Sequence, residues 1–342
     1  MSQIAFGFFD HLERRQEPLH QFYSGRLELL KMADEAGIYA YHPAEHHATP
    51  LGMAPSPNVF LAAAAQCTQR IRLGPLLYLL PLYHPLRLVE ELCMLDHLSN
   101  GRLEIGVGRG VSPYELAYFE VPFLQSQAMF KEALEVVVAG LRGERLSYTG
   151  KYYDCTDVPL ELHPQQTPNP PFWHGVTSPR SLQFAAERGM HMVGGGPNPG
   201  LKEMVAHYRE LWSQHRDDPN NLNPHIDAPI IGALRHIYVA ETDAEAEAIA
   251  GPAYQKFYDN IMKLWKDFGT VHIFFTPELS VARKLDVAIV GSPASVQDQL
   301  ARLCEDTGCN YPTLAFAWGS LSQQQSQRSL ELFATKVMPA FV

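Results

Sequence analysis

Charge is scarce in this chain, and neither sign is concentrated. Asp, Glu, Lys and Arg make up 19% of the 342 residues, and the net charge of −10 leaves no basic face for a nucleic-acid backbone or an anionic membrane. Long apolar runs are also missing. The longest near-continuous one, Leu73 to Tyr83, is too short to span a bilayer, and Met1–Phe9 lacks the basic start and extended apolar core of a secretory signal. Cys67, Cys93, Cys155, Cys304 and Cys309 are an odd and scattered set, which argues against a disulfide framework. The spacing of Cys304 and Cys309 is not that of a CxxC redox or zinc motif. These absences predict a reduced, cytoplasmic protein with no nucleic-acid or membrane partner, its cysteines serving as small buried hydrophobes.

What the chain does have is 46% apolar residues, enough to bury a large core, and a regular alternation of β-like and helical stretches. IAFGFFD (4–10) reads as a strand, and the helix after it starts past Ser24 and stops at Gly37. IYAYHPAEHH is the second strand, and Pro57 opens an Ala-rich helix. Apolar residues 73–82 form the third strand, 85–98 a helix with Leu88, Leu92, Leu95 and Leu98 on one face, and LEIGVG the fourth strand. A helix over 129–143 is followed by the strand-like YTGKYYDCTDV, and the prolines from Pro159 to Pro171 predict an extended surface excursion. FWHGV, MHMVGGG, IIGALRHIYVA and YPTLAFAW complete the strands, each with a helix behind it. Eight βα steps without a Gly/Ser-rich linker predict an α/β fold, a single (β/α)8 TIM barrel over residues 1–342 with extra loop insertions.

In such a barrel the chemistry lies where the strands end, because the βα loops there vary while the barrel holds them still. Four stretches stand out. AEHH (44–47) places a carboxylate and two imidazoles past strand two, and in extended chain only one of His46 and His47 can face the mouth. Reading them as zinc ligands needs a third group, and His84, His174 and His191 show no diagnostic spacing. GVGRG (106–110) is GxGxG rather than the dinucleotide GxGxxG, yet Arg109 between Gly108 and Gly110 sets a guanidinium beside bare amides, suited to a monophosphate. TSPRS (177–181) is either an ordinary Ser N-cap before a Pro or the second half of an anion seat. Gly194–Gly196 leaves strand six without side chains at its end, for a bare turn or for close approach to something flat. The apolar third strand, with Tyr78, suits one wall of an aromatic ring system, and the end of strand one, from Phe8 to His11, lies at the same mouth.

AEHH, the block LLPLYHPLRLVEELCMLDHLSNGRLEIGVGRG, PNPPFWHG, RHIYVAETDAEAEA (235–248) and IVGSPASVQDQLARL (289–303), taken in order, resemble the bacterial luciferase-like, flavin-dependent monooxygenases. The resemblance implies reduced FMN at the barrel mouth, its phosphate held by Arg109 and by Thr177, Ser178 and Ser181, with Gly108, Gly110, Gly195 and Gly196 along the cofactor. It implies catalytic roles for His46, near the reactive edge of the flavin, and for His47 as its support. It also implies a non-prolyl cis bond at Leu76–Leu77, against which the ring would rest.

The implied reaction uses O2 and a flavin hydroperoxide to oxygenate a small apolar aldehyde, ketone or terpene. Its substrate pocket is expected to involve Phe8, Tyr78 and, on a lid within 246–286, Trp265 and Phe268. With no nicotinamide site visible, a separate NAD(P)H:flavin reductase is implied, and a homodimer is expected from the family. Luciferase itself carries a Cys where this chain has Gly108 and a Trp where it has Gly196, two departures that count against light emission from a long-chain aldehyde and leave the oxygen chemistry untouched. The alternatives are a non-catalytic flavin-binding barrel, a deazaflavin-dependent oxidoreductase of the same superfamily and a metal-dependent barrel hydrolase.

Overall fold

The computed structural model describes residues 4–270 and 276–341. Its strands are β1 (Gly7–Asp10), β2 (Ala40–Pro43), β3 (Arg72–Leu73), β4 (Tyr78–Leu79), β5 (Ile105–Gly108), β6 (Arg145–Thr149), β7 (Asp154–Pro159), β8 (Phe172–Val176), β9 (His191–Gly194), β10 (Ile231–Val239), β11 (Ala288–Gly291) and β12 (Tyr311–Ala315). The main sheet runs β3-β2-β1-β12-β10-β9-β8-β5-β4, all parallel. Its two ends are stretches of one broken strand. A parallel bridge from Leu73 to Leu103, just ahead of β5, joins β3 to the β5 side and closes the ring. The expected barrel is therefore present, with two additions to its eight βα steps. β6 and β7 form an antiparallel hairpin packed through Leu146, Cys155 and Leu160 on Val136, and β11 adds a parallel strand to β10.

Local sequence explains most helix ends. Pro57 and Pro85 each open a helix, where a missing N–H is not needed, and Gly37 closes the first helix with φ 86°. That first helix, Leu19–Ala36, begins ahead of Ser24, whose hydroxyl donates back to the His20 carbonyl instead of capping. All five cysteines are free thiols.

Parallel strands buried on both faces divide the core into two layers. The outer one lies between sheet and helices and includes Phe8, Tyr41, Leu73, Tyr78, Val107 and Phe172; the inner one includes Phe9, Ala44, Leu76, Trp173, Val193 and Tyr311. This division corrects two expectations. Phe8 sits edge-on to Tyr41 and Phe316, while Tyr78 is edge-on to Tyr83 and its hydroxyl bonds Asn58; both side chains are fully buried. Neither can line a pocket at the mouth. The period of two gives the inward positions to their neighbours, Phe9 among them.

Inside the ring a polar network fills the space that apolar side chains do not. Glu104 accepts from the Trp173 indole N–H and from Arg72, and His42 bridges the Gly74 carbonyl at 2.8 Å and the Tyr311 hydroxyl at 2.9 Å. Burial pushes the Glu104 carboxyl up in pKa even though Arg72 pulls it down. A network with its members paired holds the barrel's cross-section rigid below the mouth.

Candidate active site

Past β2 the chain runs on through Glu45, His46 and His47, and the two imidazoles part as extended chain requires. His46 turns towards the barrel axis, its ring 5.7 Å from that of His11, which follows β1. His47 turns outward, edge-on to Phe119, and its Nε2 lies 3.0 Å from Glu45 Oε1. Glu45 is itself held by the Leu79 N–H and the Tyr83 hydroxyl, which fixes the whole segment against β4.

His46 is oriented by a residue the sequence reading did not single out. Its Nδ1 is 3.1 Å from Glu115 Oε1, and that oxygen also accepts the His47 main-chain N–H at 2.7 Å. Assigning the proton to Nδ1 leaves Nε2 as the ring nitrogen with no hydrogen bond among the described residues. Burial disfavours a charged His46, but the Glu115 carboxylate outweighs it and raises the imidazole above its ordinary pKa; about a fifth of the side chain remains solvent-accessible. Glu115 is held below the usual carboxylate range: burial pushes it up, and His46 and the His47 N–H more than offset that.

β3 and β4 flank a break at residues 74–77, and the Leu76–Leu77 peptide bond is cis, as the resemblance implied. Leu76 faces the inner layer and Leu77 packs against it. Pro75 and Leu77 in this break crowd three glycines on neighbouring strands. A Cβ on Gly106 would meet the Pro75 carbonyl oxygen at 2.0 Å, and one on Gly108 would meet Leu77 Cδ1 at 2.5 Å; one on Gly175 would meet the same atom at 3.1 Å. Gly110 turns the chain with φ 87°. Gly195 and Gly196 are different: both are exposed, and a Cβ on either would meet nothing within 4 Å.

Arg109 leaves β5 between these glycines. Its guanidinium stands over the Phe123 ring at 4.7 Å and makes no hydrogen bond among the described residues; burial lowers its pKa. Beyond β8, Ser178 and Ser181 close on each other in a capping box at the start of the helix Pro179–Glu187. Ser181 Oγ takes the Thr177 and Ser178 N–H groups, so the Thr177 hydroxyl and the Arg180 N–H are the donors this helix end leaves unused.

A short helix, Pro113–Tyr118, carries Glu115 and also Tyr114, whose ring stacks on Phe268 at 4.2 Å and 6° and stands edge-on to Trp265 at 6.2 Å. Trp265 is half-buried and Phe268 half-exposed. The rest of the expected lid includes residues 271–275, which lie outside the described residues. On the opposite wall, His236 of β10 sits 4.1 Å from the Phe257 ring, which is in turn 5.7 Å from His11. Among the described residues no three His, Cys, Asp or Glu side chains converge to hold a metal ion, and no helix is long and apolar enough to cross a membrane.

The family described as luciferase-like monooxygenase matches residues 4–311. An uncharacterized protein, y4wF, of Sinorhizobium fredii is 38% identical over 94% of this chain and 92% of its own length. The oxygenase component of a flavin-dependent trigonelline monooxygenase of Acinetobacter baylyi is 29% identical over 99% of this chain and 96% of its own. Among solved structures, the monooxygenase RslO1 of Streptomyces bottropensis superposes with a TM-score of 0.87 at 26% identity, covering 99% of this chain and all of that one.

Proposed function

The chain belongs to the luciferase-like monooxygenase family, flavin-dependent enzymes that incorporate molecular oxygen, and on that footing we propose that it is the oxygenase of a two-component system, taking reduced FMN from a separate reductase. The observation that carries this reading is the pairing of His46 with Glu115 beside strand ends that carry glycine and one arginine without a hydrogen bond. A planar cofactor needs backbone it can approach closely, which Gly195 and Gly196 offer, and its phosphate needs donors not already spent. Arg109, the Thr177 hydroxyl and the Arg180 N–H meet that need, with Ser178 and Ser181 sharing their capping bonds. When bound, the reduced flavin supplies the two electrons that activate O2.

This chain's own part is positional and protic. Glu115 fixes the His46 ring and keeps it protonated further towards neutral pH than an isolated imidazole, so Nε2 can give or hold a proton at the oxygen being transferred. His47 and Glu45 brace the segment. Trp265, Phe268 and Tyr114 form an aromatic cover that keeps water from the mouth. The substrate expected is a small organic molecule with an apolar body. The trigonelline enzyme is named as an oxygenase component, which supports a separate reductase here.

The test is turnover with FMN, a flavin reductase, NADH and 18O2 against a panel of aldehydes, cyclic ketones and terpenes. One 18O atom in a product, dependent on both FMN and this protein, is the expected result. Tight binding of a deazaflavin with no binding of FMN would overturn the assignment.

A further inference from the structure

Two imidazoles at the mouth take no part in the chemistry assigned so far. His11 follows β1, and His236 occupies an inward position of β10 between Leu234 and Tyr238, which both belong to the inner layer. They are 8% and 7% exposed. Neither makes a hydrogen bond among the described residues, and His236 Nε2 is a buried nitrogen without a partner. Their surroundings are aromatic. Phe9 lies edge-on to His11 at 4.8 Å, Phe257 packs on both histidines, and Tyr254 and Trp318 stand edge-on to His236. His11 is also the ring next to His46. Buried polar groups in folded proteins are nearly always paired, so the unpaired His236 Nε2, with the His11 ring in the same aromatic box and also without a hydrogen bond among the described residues, points to a ligand that pairs them.

The chemistry of that ligand follows from the charge state. Burial lowers the pKa of both rings, His236 to about 3, and His46 and His236 add to the lowering at His11. Near neutral pH each ring therefore offers one N–H and one lone pair, with no positive charge. No Lys or Arg is among the groups that act on either ring. A carboxylate placed here would find no Lys or Arg, only a His46 imidazole that Glu115 already pairs, and a pure hydrocarbon would leave both rings unpaired.

We propose that His11 and His236 form the oxygen-recognising end of the substrate site, donating to the carbonyl of a ketone or aldehyde whose apolar body packs on Phe9 and Phe257. The proposal rests on the mouth being the oxygenation site, and it narrows the substrates to carbonyl compounds rather than alkenes or acids.

The test uses the full-length protein labelled with 15N-histidine and pairs of probes that differ only in C=O against C=CH2: cyclohexanone with methylenecyclohexane, and acetophenone with α-methylstyrene, with cyclohexanecarboxylate as a third arm. The ketones should move the imidazole 15N signals of His11 and His236 saturably and bind at least tenfold more tightly than their hydrocarbon partners. His236→Phe and His11→Phe should abolish that preference while FMN affinity, read by flavin fluorescence, stays as in wild type, and His236→Asn should retain part of it. Equal binding of ketone and hydrocarbon, preference for the carboxylate, or no saturable shift from any probe overturns the proposal. Failure of wild type to bind FMN would instead strike the oxygenase reading, since the ketone titration needs no cofactor.

Discussion

His46 Nδ1 and Glu115 Oε1 are 3.1 Å apart, and the same carboxylate oxygen fixes the His47 main chain. One residue from a short helix thus sets both the ring orientation and the backbone of the histidine pair. Glu115→Gln keeps the shape and removes the charge. Burial is then opposed only by the Glu45 charge, and the His46 pKa should fall. Imidazole 15N titration reads this directly, and the alkaline limb of product formation should move to lower pH with it. An unshifted titration midpoint would remove Glu115 from the assignment.

The same pair makes a signed prediction for stability. His46, with its pKa raised on folding, contributes fully below the ordinary histidine value and loses that contribution as pH rises through its folded pKa. Glu115, with its pKa lowered, contributes above the ordinary glutamate value and loses it as pH falls through its folded pKa. The wild type should therefore exceed Glu115→Gln by about 2 kcal/mol between about pH 5 and 6, with the gap closing on both sides. Urea midpoints across pH 3–9 provide the check, and a gap independent of pH would contradict it.

Among the described residues Arg109 makes no hydrogen bond, only its stack on Phe123. Arg109→Ala should leave the melting temperature nearly unchanged and weaken FMN by about 2–3 kcal/mol, roughly 30- to 150-fold, through loss of charge-assisted phosphate bonds. Fluorescence titration measures this. Wild-type affinity in the variant would end the phosphate role.

The glycines of the mouth divide into two kinds, and one experiment separates them. Gly106→Ala drives a Cβ into the Pro75 carbonyl, backbone that cannot swing aside, and should cost about 3 kcal/mol in urea unfolding. Gly195→Ala meets open space and should change stability by less than about 0.5 kcal/mol while lowering FMN affinity about tenfold. Equal effects of the two on stability would mean that the Pro75 carbonyl is not what excludes a side chain at position 106.

Much of this architecture is legible in the sequence. The alternation of strands and helices specified the barrel, and AEHH and GVGRG marked two of its strand ends. Phe8 and Tyr78 were misplaced because a strand buried on both faces reads as a continuous apolar run, which carries no information on facing. Glu115 was hidden by its own context: S-P-Y-E at 112–115 has the spacing of a capping box, which would direct the carboxylate back to its own helix. The Ser112 half of that box forms, while the glutamate side chain goes to His46. The inward position of His236 is written in its alternation with Leu234 and Tyr238 in IIGALRHIYVA.

The helix that delivers Glu115 also holds Trp265 and Phe268 through Tyr114, so in the proposed function the orientation of His46 and the exclusion of water are mechanically joined. Tyr114 stacks flat on Phe268, and its hydroxyl bonds Thr270. Tyr114→Ala removes both contacts and leaves the carboxylate of Glu115 in place. An aromatic pair of this kind contributes about 1 kcal/mol, which corresponds to a roughly fivefold change in how often the cover is open. Hydrogen exchange at 263–270 should quicken by about that factor, and the ratio of hydrogen peroxide released to O2 consumed should rise, because water reaches the mouth before the substrate is oxygenated. The His46 titration should remain as in wild type, which distinguishes an opened cover from a displaced Glu115. Faster exchange with unchanged peroxide release would show that these aromatics pack on the barrel without guarding its chemistry.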